Sequence, residues 1–175
     1  MRTPSKLLTA FALLAIAACG APGQESGGAA GTGAQPLEQD AGPVAQTMDF
    51  GEQYRFGYGL SIMVSTPKSF QPSSGAYPQS ARAVAFDISV RNDGGQPYQL
   101  SGLSVSATIG GVPAKQVVDS TLGYTGITNA GKDVPPGHDA DFTLAFAVPQ
   151  QPTQLRLTVR PATDSSVVCV YSGSA

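Results

Sequence analysis

Apolar and polar residues alternate with the period of a β-strand along most of the chain after residue 47. The longest run places Tyr54, Phe56, Tyr58, Leu60, Ile62 and Val64 on one face, and over these eleven positions it predicts one long strand. Further runs with the same period cover residues 84–90, 103–109, 142–148 and 155–159. Such alternation is typical of antiparallel strands that have one buried face.

Two shorter strands are predicted at 114–118 and 167–171, and no segment after residue 47 has helical spacing. Turn residues at 92–95 and 135–137 and longer loops at 66–81 and 119–138 separate the strands. About seven short strands without helices predict an antiparallel β-sandwich over residues 47–175. A closed barrel is the alternative.

The first eighteen residues have a different pattern, in which Arg2 and Lys6 precede an apolar run at 7–18. This is the pattern of an export signal, and the run is shorter than the roughly 20 residues of a membrane-spanning helix. Residues 16–19, Ile-Ala-Ala-Cys, resemble the lipobox of bacterial lipoproteins. The resemblance implies cleavage between Ala18 and Cys19 and a diacylglycerol anchor on the Cys19 sulfur. A secretory signal in which Cys19 is incidental is the alternative.

The segment that follows Cys19 is poor in apolar side chains. Residues 20–46 are rich in Gly, Ala, Gln, Pro and Ser, and Leu37 and Val44 are their only branched apolar residues. Such a composition does not bury enough surface to form a core. We expect 19–46 to be the lipidated cysteine and a flexible linker, which spans on the order of 30 Å.

Charge and cysteine content agree with an exported protein. Loss of Arg2 and Lys6 with the signal leaves eight basic residues against twelve acidic ones, a net charge of about −4. Nucleic acid is therefore not an expected partner, because nucleic-acid-binding surfaces are basic. Cys169 is predicted to be a buried residue of the last strand, and the alternatives are an intermolecular disulfide or a reactive thiol.

The strand-and-turn sequence from about residue 59 to 173 resembles an immunoglobulin-like domain of unknown function. That domain is common in exported bacterial lipoproteins and is akin to a secreted mycobacterial antigen. The resemblance is carried by the strand and turn at 84–97, the Pro-Pro-Gly turn and strand at 135–149, and the strand at 155–157. It implies an immunoglobulin-like sandwich, no catalytic residues, and a binding or assembly module outside the membrane.

The sequence contains no motif for catalysis or for a cofactor. His138 is the only histidine, and no nucleophile motif accompanies it. We therefore expect no enzymatic activity and no cofactor, and an envelope hydrolase that uses His138 is disfavoured. Asp133, Asp139 and Asp141 are weak candidates for a calcium site, and polar residues at the start of a strand are the simpler interpretation.

Aromatic residues in the predicted loops are the candidate binding residues. Phe70 and Tyr77 lie in the loop at 66–81, and Tyr98 and Tyr124 lie in or near other loops. Aromatic side chains held on a rigid scaffold bind proteins or stack on sugars; alternatively, each closes an end of the sandwich. The sequence predicts a non-enzymatic binding module, anchored at the extracytoplasmic face of the cell membrane, with an envelope protein or glycan as partner. A small-ligand or calcium-binding lipoprotein is the alternative.

Overall fold

The computed structural model describes residues 42–175. The predicted signal peptide, Ala18, Cys19 and most of the predicted linker lie outside the described residues. The strands are β1 Val44–Asp49, β2 Gln53–Arg55, β3 Leu60–Val64, β4 Lys68–Phe70, β5 Ala83–Asn92, β6 Tyr98–Gln99, β7 Ser104–Ile109, β8 Val112–Pro113, β9 Gln116–Val117, β10 Asp133–Val134, β11 His138–Ala147, β12 Gln154–Arg160 and β13 Val167–Ser174. One 3-10 turn covers Leu100–Gly102. Within residues 42–175, no helix has the length and apolar character needed to cross a membrane.

The strands form two main sheets. One has the order β1-β13-β12-β7-β8, and the other has the order β2-β3-β5-β11-β9 with β4 also paired to β5. Every pair in these sheets is antiparallel except β1 with β13, which is parallel. Seven of the strands have five or more residues. The predicted all-β antiparallel sandwich is confirmed, and between residues 42 and 175 no strand pair joins the two sheets into a barrel.

The main core lies between the two sheets and is formed by the alternating apolar residues. In β5 the inward residues are Val84, Phe86, Ile88 and Val90, and in β12 they are Leu155, Leu157 and Val159. Tyr171 of β13 is fully buried, and its hydroxyl donates a hydrogen bond of 2.7 Å to the Ile62 carbonyl of β3. This bond joins the two sheets across the core. Cys169, two residues earlier on β13, is buried and forms no disulfide within the described part of the chain.

A second, smaller core covers one end of the outer face of the β5 sheet. It consists of Ala76, Ala83, Ala85, Val117 and Ala145, with Phe70, Tyr124 and Ala147 packed against it. Alanines at the outward positions of β5 and β11 leave room there for loop residues to approach the sheet. The long loops are therefore packed on the sandwich, which positions the candidate site.

The single long strand predicted over residues 54–64 is wrong. The segment is a hairpin in which Tyr54 of β2 pairs with Ile62 of β3. Gly59 in the turn has a φ of +89°, and a Cβ at this position would lie 2.8 Å from the Cα and N of Gly94. Only glycine fits such a close approach in this conformation. The prediction is wrong because apolar and polar residues keep alternating in the same phase through the turn.

The first strand begins earlier than the predicted start of the domain at residue 47. β1 starts at Val44 and pairs in register from Val44 with Val167 to Asp49 with Ser172. Most of its side chains are exposed, so β1 is held chiefly by backbone hydrogen bonds rather than by an apolar face. Residues 44–46 have the composition of a linker, so the sequence does not predict that they begin a strand. The strand predicted at 114–118 is shorter, at Gln116–Val117.

Candidate binding surface

Two long loops are fastened to each other by the buried carboxylate of Asp119. It accepts hydrogen bonds of 2.7 Å from both the backbone N–H and the hydroxyl of Ser73. It also accepts a longer bond of 3.4 Å from the Leu122 N–H. Burial by itself would raise the pKa of the Asp119 carboxyl, but the hydrogen bonds from Ser73 and the following turn lower it below its usual value. Asp119 therefore stays ionised and links the loop at 71–82 to the loop at 118–132.

Backbone hydrogen bonds complete this link. The N–H and C=O of Tyr77 both bond to Val118, each at 2.8 Å, and Asp119 pairs in the same way with Tyr124 at 2.8 and 2.9 Å. The Tyr77 side chain is nevertheless 81% exposed, and Val118 and Leu122 on the facing loop are also exposed apolar residues. We call these three residues the Tyr77 surface. Large apolar side chains that are exposed to solvent on a rigid backbone are typical of binding surfaces.

The other aromatic candidates have structural contacts. Phe70 and Tyr124 pack together with ring centroids 4.3 Å apart and lie against the small core beneath the loops. Tyr98 is elsewhere, where it pairs with Val134 in β10 and its hydroxyl donates a 2.6 Å hydrogen bond to the Pro161 carbonyl. Burial raises the pKa of Tyr98, so its hydroxyl remains protonated. Among the four candidates, Tyr77 presents its side chain to solvent.

Sequence reasoning missed three residues of this region. Val118 falls in a predicted strand, Leu122 is one of many residues in a predicted loop, and Asp119 belongs to no motif. The only sequence signal for them is an acidic residue at the end of an apolar strand. Such residues often bond to nearby backbone N–H groups and shape turns.

The weak metal candidates surround a cavity of about 330 Å³ beside the start of β11. Asp133, Asp139, Asp141 and His138 all line it. Arg91 donates hydrogen bonds of 3.1 and 3.2 Å to the two Asp139 oxygens. Across residues 42–175, no group of three or more His, Cys, Asp or Glu side chains is placed to hold a metal ion. The carboxylates make the cavity acidic without forming a cage of ligands.

Ion pairs neutralise several charges on the outer face of the β5 sheet. Lys68 pairs with Asp87, which also accepts a 3.0 Å hydrogen bond from Thr143. The Lys68 hydrogen bond is the main reason that the pKa of Asp87 is lowered. Arg91 pairs with both Asp93 and Asp139. Asp141, on the same face, has no ion-pair partner among the described residues.

No family model and no curated protein matches the sequence, but several solved structures have the same fold. The candidate lipoprotein ycdA of Bacillus subtilis superposes with a TM-score of 0.57 at 11% identity, over 72% of this chain and 39% of ycdA. An uncharacterised β-sandwich protein of Clostridium difficile gives 0.50 at 14% identity, over 79% and 99% of the two chains. The secreted protein MPT63 of Mycobacterium tuberculosis gives 0.51 at 15% identity, over 76% and 99%.

These similarities concern the fold. They confirm the predicted resemblance to the secreted mycobacterial antigen and to the sandwich domains of bacterial lipoproteins at that level. The chain spans less than half of ycdA, so ycdA contains a further region to which this chain has no counterpart in the superposition. At identities of 11–15%, function does not follow from fold.

Proposed function

We propose that this protein is a lipid-anchored binding module of the bacterial cell envelope, without catalytic activity, that engages an envelope protein or glycan through the Tyr77 surface. The observation that carries the proposal is the combination at Tyr77 of an 81% exposed side chain with a backbone held by two hydrogen bonds of 2.8 Å. A backbone held in this way loses little conformational freedom on binding, which favours affinity.

The Asp119 link supports the same proposal. Long loops are usually mobile, and ordering them on binding costs free energy. Here the loops are ordered during folding, because hydrogen bonds join Ser73 to Asp119 and Tyr77 to Val118. Phe70 also packs against Tyr124. The Tyr77 surface is therefore preorganised. Tyrosine is also among the residues that most often dominate the free energy of protein interfaces.

Anchoring is proposed from the sequence of the first nineteen residues. The resemblance of residues 16–19 to a lipobox supports a lipid on Cys19, and two or more acyl chains hold a protein stably on a membrane. The segment between Cys19 and β1 sets the distance that the sandwich reaches from the lipid. Proteins of the same fold include a candidate lipoprotein and a secreted protein, and both descriptions agree with export.

The test is cross-linking in intact cells followed by affinity purification of four forms of the chain: wild type, Cys19→Ala, Tyr77→Ala and Tyr58→Ala. Tyr58 is the matched control because it is also an exposed tyrosine, at 56%, outside the two loops. We expect a partner that co-purifies with wild type and with Tyr58→Ala, and that falls at least about tenfold with Tyr77→Ala.

The Cys19 variant tests anchoring separately. Wild type is expected in the membrane fraction and Cys19→Ala in the soluble extracytoplasmic or cytoplasmic fraction. Equal membrane association of both forms would contradict the lipid anchor. Equal recovery of partners by Tyr77→Ala and wild type would contradict the assigned binding surface.

A further inference from the structure

The edge of β11 next to the acidic cavity has no strand partner over half of its length. β11 pairs with β5 from His138 to Ala147, but it pairs with β9 only at Ala145 and Phe146. The chain then leaves the sheet, because Val118 turns away to pair with Tyr77. Within residues 42–175, the first half of β11 is therefore an open sheet edge.

The hydrogen bonds show which residues face that open edge. The N–H of Ala147 donates to Lys115 on the β9 side, and the N–H of Val148 donates to Arg82 on the β5 side. Backbone groups of successive strand residues alternate between the two sides. Asp139 and Asp141 therefore direct their N–H and C=O groups to the open edge, where the described residues supply no backbone hydrogen-bond partner. Ala140 and Phe142 direct theirs to β5.

The cavity of about 330 Å³ runs beside these two residues and has an apolar side. Leu100, Ile127, Val134 and Phe142 contribute apolar atoms to its lining. A strand added along this edge would place alternate side chains on opposite faces of the sheet. One set would face the apolar lining next to Ala140 and Phe142, and the other would lie beside Asp139 and Asp141.

The charged side chains around the cavity favour some binding partners of this edge over others. The cavity is lined by three carboxylates and by one ammonium group, Lys132, together with His138. Asp139 is paired with Arg91, whereas Asp141 has no ion-pair partner among the described residues. Two copies paired edge to edge about Asp141 would place like charges directly opposite each other, which is destabilising. A strand with basic side chains at these positions would be attracted instead.

We propose that the open edge of β11 at Asp139–Asp141 binds an extended peptide segment by strand addition. Basic side chains of the segment lie beside the two carboxylates, and an apolar side chain between them enters the cavity. Such augmentation derives affinity from main-chain hydrogen bonds and specificity from alternate side chains. This site is separate from the Tyr77 surface, and either site can fail its test without affecting the other.

The test is amide hydrogen exchange, measured by NMR on the chain from residue 20 to 175, with and without the blocked peptide Lys-Val-Lys-Val-Lys. Without peptide, the amides of Asp139 and Asp141 are expected to exchange rapidly, and those of Ala140 and Phe142 slowly, because the latter bond to β5. Saturating peptide is expected to slow exchange at Asp139 and Asp141 at least about tenfold and to leave Ala140 and Phe142 unchanged.

Two N-methylated peptides test the main-chain contacts. One carries the methyl groups on its lysine amides and the other on its valine amides, and only one of these two sets faces β11. We expect one peptide to lose at least about tenfold in affinity and the other to bind like the parent. The peptide that loses affinity identifies the direction of the added strand. Equal affinity of both, or loss of both, would overturn the proposal.

Charge is tested with Asp141→Lys, with Asp49→Lys on β1 of the other sheet as the matched control. Peptide affinity is expected to fall at least about tenfold in the first variant and to be unchanged in the second.

Two further outcomes would overturn the proposal. If Asp139 and Asp141 are already protected without peptide, the edge is covered by the chain itself or by a second copy, which sedimentation distinguishes. If Glu-Val-Glu-Val-Glu binds equally well, the edge does not select basic segments.

Discussion

Removal of the Tyr171 hydroxyl is expected to weaken the contact between the two sheets by a defined amount. Tyr171 is fully buried, and its hydroxyl donates a 2.7 Å hydrogen bond to the Ile62 carbonyl on the opposite sheet. The same carbonyl faces β2, where Tyr54 is the register partner of Ile62. In Tyr171→Phe the carbonyl would keep its bond within the sheet, so no buried acceptor would be left without a partner.

The magnitude follows from that arrangement. A net hydrogen bond contributes about 1 kcal/mol to stability when its loss leaves no unsatisfied buried group. For a domain of this size, this corresponds to a decrease in Tm of about 3–5 °C. Tyr171→Ala would also remove the ring from the core, and replacement of a buried aromatic residue by alanine costs about 3–5 kcal/mol.

Urea and thermal denaturation of the two variants measure these differences, and Tyr77→Phe is the matched control. That substitution removes a hydroxyl from a side chain that is 81% exposed, so its free energy of unfolding is expected to equal that of wild type. The reasoning would be refuted if Tyr171→Phe were as stable as wild type. It would also be refuted if Tyr171→Phe were as unstable as Tyr171→Ala, since the hydroxyl would then account for the whole effect.

Gly59→Ala is expected to cost more than about 2 kcal/mol in urea denaturation, because the new Cβ would lie 2.8 Å from Gly94 at a φ of +89°; an effect equal to that of Gly57→Ala, which meets no atom within 4 Å, would contradict this. Burial raises the pKa of the Cys169 thiol to about 11. Stability from the protonated thiol is therefore complete below about pH 8.5, the pKa of a free thiol, and is lost as the pH rises from there toward about 11. Cys169→Ala should show a smaller decrease in stability between about pH 8 and 10.5. Asp119→Ala is expected to speed proteolysis in the two long loops, because the N–H and hydroxyl of Ser73 lose their acceptor; unchanged cleavage would show that Asp119 does not hold the loops.

The sandwich was predictable because both sheets bury alternate residues. The inward residues of β5 and β12 follow the period of two along their whole length, and that period alone identifies strands with one buried face. The alternation of apolar and polar residues does not predict strands that lack a buried face. β1 is held by backbone pairing with β13 and has mostly exposed side chains, so it resembles a linker in sequence.

The candidate site was only partly predictable. Phe70 and Tyr77 both fall in the predicted loop at 66–81, but Phe70 is the last residue of β4. The structure exposes Tyr77 and packs Phe70 against Tyr124. The difference arises from the pairing of Tyr77 with Val118 and from the bonds between Ser73 and Asp119. Those contacts join residues far apart in the chain, so local periodicity and composition carry no information about them.

The most direct test of the central claim is site-specific photo-cross-linking in intact cells, with the photoreactive residue at position 77 and, in a parallel strain, at position 58. The proposed function predicts a defined cross-linked species in the membrane fraction from position 77 and none from position 58. If both positions give the same products, or if position 77 gives none above background, the Tyr77 surface does not contact a partner in the envelope.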